Sequence, residues 1–197
     1  MQSVHWTAAN DVLPGVNMPH QAPQPPPTHV VVMGVSASGK TTLASLLATR
    51  LGWPLAEADD FHPATNVAKM ASGTPLTDDD RWPWLRTLRD WMDNIPGPGT
   101  VMTCSALKRS YRDLLREADG VVRFIHVVVD PTVLAERISV RTGHFMPGTL
   151  LPSQLSTLEP LASDEDGFTL PNDSTAEDLL TRALTSLDLE PKNSPQQ

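Results

Sequence analysis

The chain has 197 residues, 40% of them hydrophobic, which is enough apolar material for one full-sized domain and too much for a wholly disordered polymer. Its 15 basic and 23 acidic residues give a net charge of −8, which argues against non-specific nucleic-acid binding. One cysteine, Cys104, excludes an internal disulfide or a cysteine-built zinc site.

A chain with so little cysteine fits a reducing, cytoplasmic setting. No apolar run approaches the roughly 20 residues of a membrane span. The opening MQSVHWTAAND lacks the basic and apolar regions of a signal peptide, so neither a membrane nor a nucleic-acid partner is expected. The charge is unevenly distributed. Residues 29–158 carry 13 acidic and 13 basic side chains, whereas residues 159–197 carry nine acidic and two basic. Residues 1–28 hold six prolines and no Lys or Arg, and are expected to form a disordered tail; 189–197 are expected to form a flexible end.

Between these tails the pattern alternates. The apolar, β-branched run from His29 to Met33 predicts a strand buried on both faces. Leu43, Leu46, Leu47 and Leu51 then recur at helical spacing, and Leu55 to Asp59 predicts a second strand. A helix is expected from Pro63 to before Gly73, because proline suits a first helical turn. Asp78-Asp79-Asp80 offers cap and first-turn carboxylates to a helix whose stripe runs from Trp84 to Ile95. Strands follow at Thr100 to Cys104 and Arg123 to Val129, separated by a helix with Tyr111 and Leu115 inward and Arg109, Arg112 and Arg116 on another side. Asp130-Pro131 opens a helix to about Val140. Residues 141–152 read as a loop or flap, Gln154 to Leu158 as a short helix, and Phe168 to Leu170 as a weak fifth strand. Ser174 with Glu177 predicts a capping box for the last helix. This order predicts an α/β fold, a three-layer α/β/α sandwich around a mostly or wholly parallel five-stranded sheet.

Gly34-Val-Ser36-Ala37-Ser38-Gly39-Lys40-Thr41 matches the phosphate-loop pattern G-x-x-x-x-G-K-[ST] and sits between the first strand and first helix, the context that the motif requires. Its backbone N–H groups and the helix N-terminus can surround nucleotide phosphates, with Thr42 continuing the first turn. Lys40 is expected to bridge the β and γ phosphates of ATP, and Thr41 to ligate Mg²⁺. No Asn-Lys-x-Asp segment that would specify guanine is visible, so a small-molecule kinase is favoured over a GTPase switch.

Several longer segments make the chain resemble the gluconokinase family of phosphate-loop carbohydrate kinases: Asp59 to Asn66, Lys69-Met-Ala-Ser-Gly through Asp78-Asp79-Asp80-Arg81 to Leu85, Cys104-Ser-Ala-Leu-Lys108, Arg141-Thr-Gly-His-Phe145 and Thr157-Leu-Glu-Pro-Leu161. The resemblance spans about residues 29–188. It implies ATP-dependent phosphorylation of D-gluconate at its 6-hydroxyl, giving 6-phosphogluconate for the pentose phosphate route. It also implies a homodimer, a substrate-binding helical region near 60–95 and a mobile lid near 141–160. The alternatives are a related kinase acting on shikimate, another sugar acid or a nucleoside monophosphate, and a nucleotide-binding protein without catalysis.

Within that frame, Asp59 is the candidate base for the acceptor hydroxyl, and Glu57, two residues before it, a candidate Mg²⁺ ligand. His62, Asn66 and Lys69 have spacings that one helix face can present to a polyhydroxylated acid. Arg81 is expected to pair with a neighbouring aspartate or with the substrate carboxylate. Ser105 and Lys108, at the end of the third strand, are placed on the substrate side. Arg137 and Arg141 are expected near ATP, and His144 near the substrate. Cys104 is expected to be buried and inert.

Overall fold

β1 (Thr28–Met33) takes the position that its apolar sequence demands, the centre of the sheet. Five strands, with β2 (Leu55–Glu57), β3 (Gly99–Cys104), β4 (Val121–Val128) and β5 (Gly167–Pro171), lie in the order β2-β3-β1-β4-β5, and every pair is parallel. The computed structural model describes residues 25–139 and 150–189. The expectations for residues 1–24 and 190–197, for Val140, Arg141 and His144, and for the 141–149 part of the lid lie outside the described residues.

Successive side chains of β1 point to opposite faces. Val30 and Val32 pack against α1 (Lys40–Leu51) and α7 (Ala176–Leu187), while Val31 and Met33 pack against α3 (Asp78–Asn94) and α4 (Arg109–Leu115). All four are fully buried, and each such side chain contributes about 1.5–3 kcal/mol. The layers are completed by α2 (Ala64–Ala71), α5 (Pro131–Ser139) and α6 (Leu151–Thr157). The predicted three-layer sandwich and five-stranded sheet are therefore present, and the sheet is wholly parallel. From β1 the chain reaches β3 on one side and β4 on the other, so a crevice opens at the carboxyl ends of these strands, where open α/β sheets bind ligands.

Several local expectations are corrected. The second strand, expected to run to Asp59, ends at Glu57, and Asp59 lies in a 3₁₀ turn, Ala58–Phe61, so the two carboxylates do not share one strand. The cap of α3 is Thr77, which forms a capping box with Asp80. That of α7 is Thr175, which accepts from the Asp178 N–H, in place of Ser174 with Glu177. Both pairs have the spacing a cap needs, and the helix register selects the later one. Leu151 and Pro152, expected in a loop, form the first turn of α6, where proline is tolerated. Arg112, expected on a solvent face, is completely buried.

Candidate active site

The phosphate loop leaves β1 at Gly34, whose φ of +136° and whose 2.8 Å approach of a notional Cβ to the Val127 carbonyl exclude any side chain. Ala37 and Gly39 both take left-handed backbone, with φ of 61° and 101°, which folds successive N–H groups into an anion-binding concavity. Gly39 caps α1 with no side-chain hydrogen bond, so no side chain competes for the helix's first amides. Three segments far apart in sequence hold this loop. Gln154 Oε1 accepts from the Ser36 N–H at 2.7 Å, Arg137 Nη1 donates to the Ala37 carbonyl at 3.5 Å, and Asn172 Nδ2 donates to the Ser38 carbonyl at 2.8 Å. Lys40 Nζ donates to the Val35 carbonyl at 2.9 Å, inside the curve of the loop.

A cleft of about 790 Å³ extends from this loop toward α2 and α3. Of the sequence-predicted residues, Ser36, Ala37, Gly39, Lys40, Thr41 and Thr42 line its nucleotide side, together with Arg137. Glu57, Asp59, His62, Arg81 and Ser105 line the opposite side. Gly34 and the fully buried Ser38 shape the loop from beneath.

Glu57 stands at the junction of the two halves. Its Oε2 accepts from Thr103 Oγ1 at 2.5 Å and from Thr41 Oγ1 at 3.4 Å, while its Oε1 is buried without a hydrogen-bond partner. A buried carboxylate oxygen without a partner is costly. Beside the Thr41 hydroxyl, it supplies the hard oxygen donor that Mg²⁺ prefers. The residues present therefore fit the ion. Among the described residues no group of three or more His, Cys, Asp or Glu could enclose a metal.

On the acceptor side, the His62 ring stacks on Trp84 at 4.1 Å, and Trp84 Nε1 donates to the Ala58 carbonyl at 2.8 Å, bracing the turn that carries Asp59. Burial, helped by the Arg81 charge, lowers the His62 pKa to about 4, so its imidazole is neutral at pH 7. His62 Nδ1 has no partner. The ring is therefore a neutral polar group in the cleft lining rather than a cation.

The cations divide into two kinds. Lys69 Nζ lies 2.6 Å from Asp80 Oδ2, and Lys108 Nζ 2.8 Å from both oxygens of Asp78, which also accepts from the Tyr111 hydroxyl at 2.5 Å. The Lys69 bond, first, and Thr77 hold the Asp80 carboxyl at about 2. Asn66 is buried and donates to the Asp80 carbonyl. Asn66, Lys69 and Lys108 are not among the residues lining the cleft and make contacts with Asp78 and Asp80 at the start of α3. Arg81 differs. Its Nη1 donates to the Leu76 carbonyl at 2.5 Å and approaches the Tyr111 hydroxyl at 3.5 Å, its guanidinium lies 5.7 Å from the Tyr111 ring centre, and it lines the cleft. No ion pair is formed by Arg81 among the described residues. The expected pairing with a neighbouring aspartate is not made. Cys104 is buried, and desolvation pushes its thiol up to about 12, which removes it as a nucleophile.

Sequence reasoning does not reveal the contacts by which Thr103, Gln154 and Asn172 hold the site. Each reaches it through contacts across long stretches of chain, and no local pattern marks them. The same holds for Arg112 and Glu165, whose buried ion pair fixes the segment after α6 against α4.

No family model matches the chain. It is 55% identical to a gluconokinase from Gluconobacter oxydans (strain 621H) over 141 residues, which cover 71% of this chain and 79% of the relative. A solved sugar kinase from Janibacter sp. HTCC2649 superposes with a TM-score of 0.79 at 51% identity, covering 87% of this chain and 100% of the other. A gluconokinase from Sinorhizobium meliloti 1021 gives 0.72 at 42% identity, covering 84% and 94%. A phosphate loop between β1 and α1, an acid-lined acceptor half and these likenesses lead to one assignment: the chain belongs to the gluconokinase family of ATP-dependent kinases.

Proposed function

We propose that the protein phosphorylates D-gluconate at its 6-hydroxyl with ATP, releasing ADP and 6-phosphogluconate. The observation that carries this reading is the division of the cleft, with a phosphate loop on one side and Asp59, His62 and Arg81 on the other. Gluconate has one carboxylate and a row of hydroxyls. Arg81, a cleft cation that makes no ion pair among the described residues, suits the carboxylate as a planar fork. His62 and Ser105 suit the hydroxyls.

In this mechanism Asp59 accepts a hydrogen bond from the 6-hydroxyl, aligns its lone pair with the terminal phosphorus and takes the proton as the O6–P bond forms. The bond from phosphorus to the β–γ bridging oxygen breaks, and that electron pair leaves with ADP. Lys40, Arg137 and the loop amides bear the negative charge that spreads over the phosphoryl oxygens. Arg141 and His144 belong to the same proposal, beside ATP and acceptor respectively. Thr41 and Glu57 would hold Mg²⁺, directly or through water, and the ion would supply neutralisation of phosphate charge there. The resemblance extends the proposal to a cytoplasmic homodimer, which light scattering checks for assembly.

A coupled ADP-release assay with ATP, Mg²⁺ and a panel of gluconate, glucose, shikimate and AMP tests the reading. Gluconate-dependent turnover is expected. Rapid turnover of another acceptor without activity on gluconate overturns it.

A further inference from the structure

Gln154 is joined to the phosphate loop by a bond that nucleotide must disturb. Its Oε1 accepts from the Ser36 N–H at 2.7 Å, and both residues line the cleft. Ser36 belongs to the stretch whose amides serve phosphate oxygens, so an arriving phosphate and the Gln154 carbonyl compete for one N–H. The anionic oxygen is the stronger acceptor. A carboxamide has a second option that neither a carboxylate nor a hydrocarbon has: after rotation about its terminal bond it presents N–H donors to the same oxygen.

The position of Gln154 identifies which phosphate. The start of the loop adjoins the acceptor half, because the Gly34 N–H donates to the Ser105 carbonyl at 3.3 Å. The end of α6 is fastened there too: the Glu159 N–H donates to the Leu107 carbonyl at 2.7 Å, and Glu159 Oε2 accepts from the Arg109 N–H at 2.6 Å. Asn172 holds the loop further along, at Ser38. Gln154 thus meets the start of the phosphate loop, on a segment whose far end is fastened to the loop that follows β3.

We propose that Gln154 is a ligand of the transferred phosphoryl group: a neutral placeholder that satisfies the Ser36 N–H before nucleotide binds and a hydrogen-bond donor to the terminal phosphate afterwards. The proposal rests on the kinase reading above for the direction of transfer, but its test does not require gluconate.

Titration calorimetry with Mg²⁺ compares ADP with the imido analogue of ATP on the full chain, as wild type, Gln154→Glu and Gln154→Met. Glutamate keeps an acceptor for the Ser36 N–H and repels an anion. Both variants are expected to bind ADP about as wild type does and the triphosphate analogue on the order of tenfold more weakly or worse. A merely structural strut predicts no triphosphate-specific loss in the uncharged Gln154→Met, with both nucleotides bound normally. That result overturns the proposal, as does equal weakening of ADP and the analogue. Gln154→Met provides the same comparison should the glutamate variant fail to fold. A wild type inactive on gluconate, with variants that show this triphosphate-specific loss, refutes the acceptor assignment and leaves the role of Gln154 supported.

Discussion

Arg112 Nε donates to Glu165 Oε1 across 2.6 Å, and neither side chain exposes any surface. The same guanidinium donates to the carbonyls of Ala106, Glu159 and Pro160, so one buried cation ties the loop after β3 to the segment after α6. Removing one partner strands the other charge in a low-dielectric interior. Glu165→Ala is therefore expected to destabilise the protein by about 3–5 kcal/mol, measured by urea unfolding. The Arg112 hydrogen bond, first among the causes, lowers the Glu165 pKa, so its contribution is complete above the ordinary value of 4.5 and is lost as pH falls below it toward the lowered one. The stability difference between wild type and Glu165→Gln is expected to shrink over that acid range.

Asp59→Asn keeps the shape of the turn and removes the proton acceptor. Its kcat is expected to fall by about a hundredfold or more, with an unchanged melting temperature and unchanged ADP affinity. Near-normal turnover in this variant sinks the assignment of Asp59 as the base.

Arg81→Met tests the carboxylate anchor. The substitution keeps an unbranched side chain and removes the guanidinium with its charge. The KM for gluconate is expected to rise on the order of tenfold to a hundredfold, the loss of a charge-assisted hydrogen bond, while the KM for ATP stays near wild type. A parallel rise in both constants points to a packing role instead.

His62 leads to a pH experiment. Its pKa falls from 6.5 in the unfolded chain to about 4 in the fold, so between these values the unfolded state binds the extra proton. Stability attached to this group is complete above 6.5 and declines as pH falls toward 4. The urea midpoint of wild type is expected to drop more steeply over pH 6.5 to 4.5 than that of His62→Gln. Equal slopes exclude a neutral buried imidazole.

The most legible parts of the molecule are those in which sequence neighbours are also structural partners. The run from His29 to Thr41 contains a buried strand, a loop that needs Gly34 and Gly39 for its backbone, and the helix that follows. Asp59, His62 and Arg81 were nominated from short segments and do line one cleft. Spacing was less informative where two adjacent frames satisfied the same rule, as with Ser174 and Thr175 at the cap of α7. It failed for Arg112, whose burial depends on Glu165, 53 positions away, folding over α4. The lysines show a third limit. Lys69 and Lys108 have the charge that an acidic substrate needs, but Asp80 and Asp78 reach them first, and only three-dimensional distance separates these cations from Arg81.

The central position of β1 also sets an order of assembly. Thr28 pairs with Gly99 on one side and with Val121 on the other, so both neighbours of the earliest strand are synthesised long after it. The phosphate loop hangs from that strand and is then held by Asn172, later still. Such distant pairings are slow to form, because a long stretch of chain must be closed before they stabilise anything. ATP affinity in a growing chain should therefore appear late and abruptly, after β4 has emerged, making nucleotide binding a reporter of completed folding.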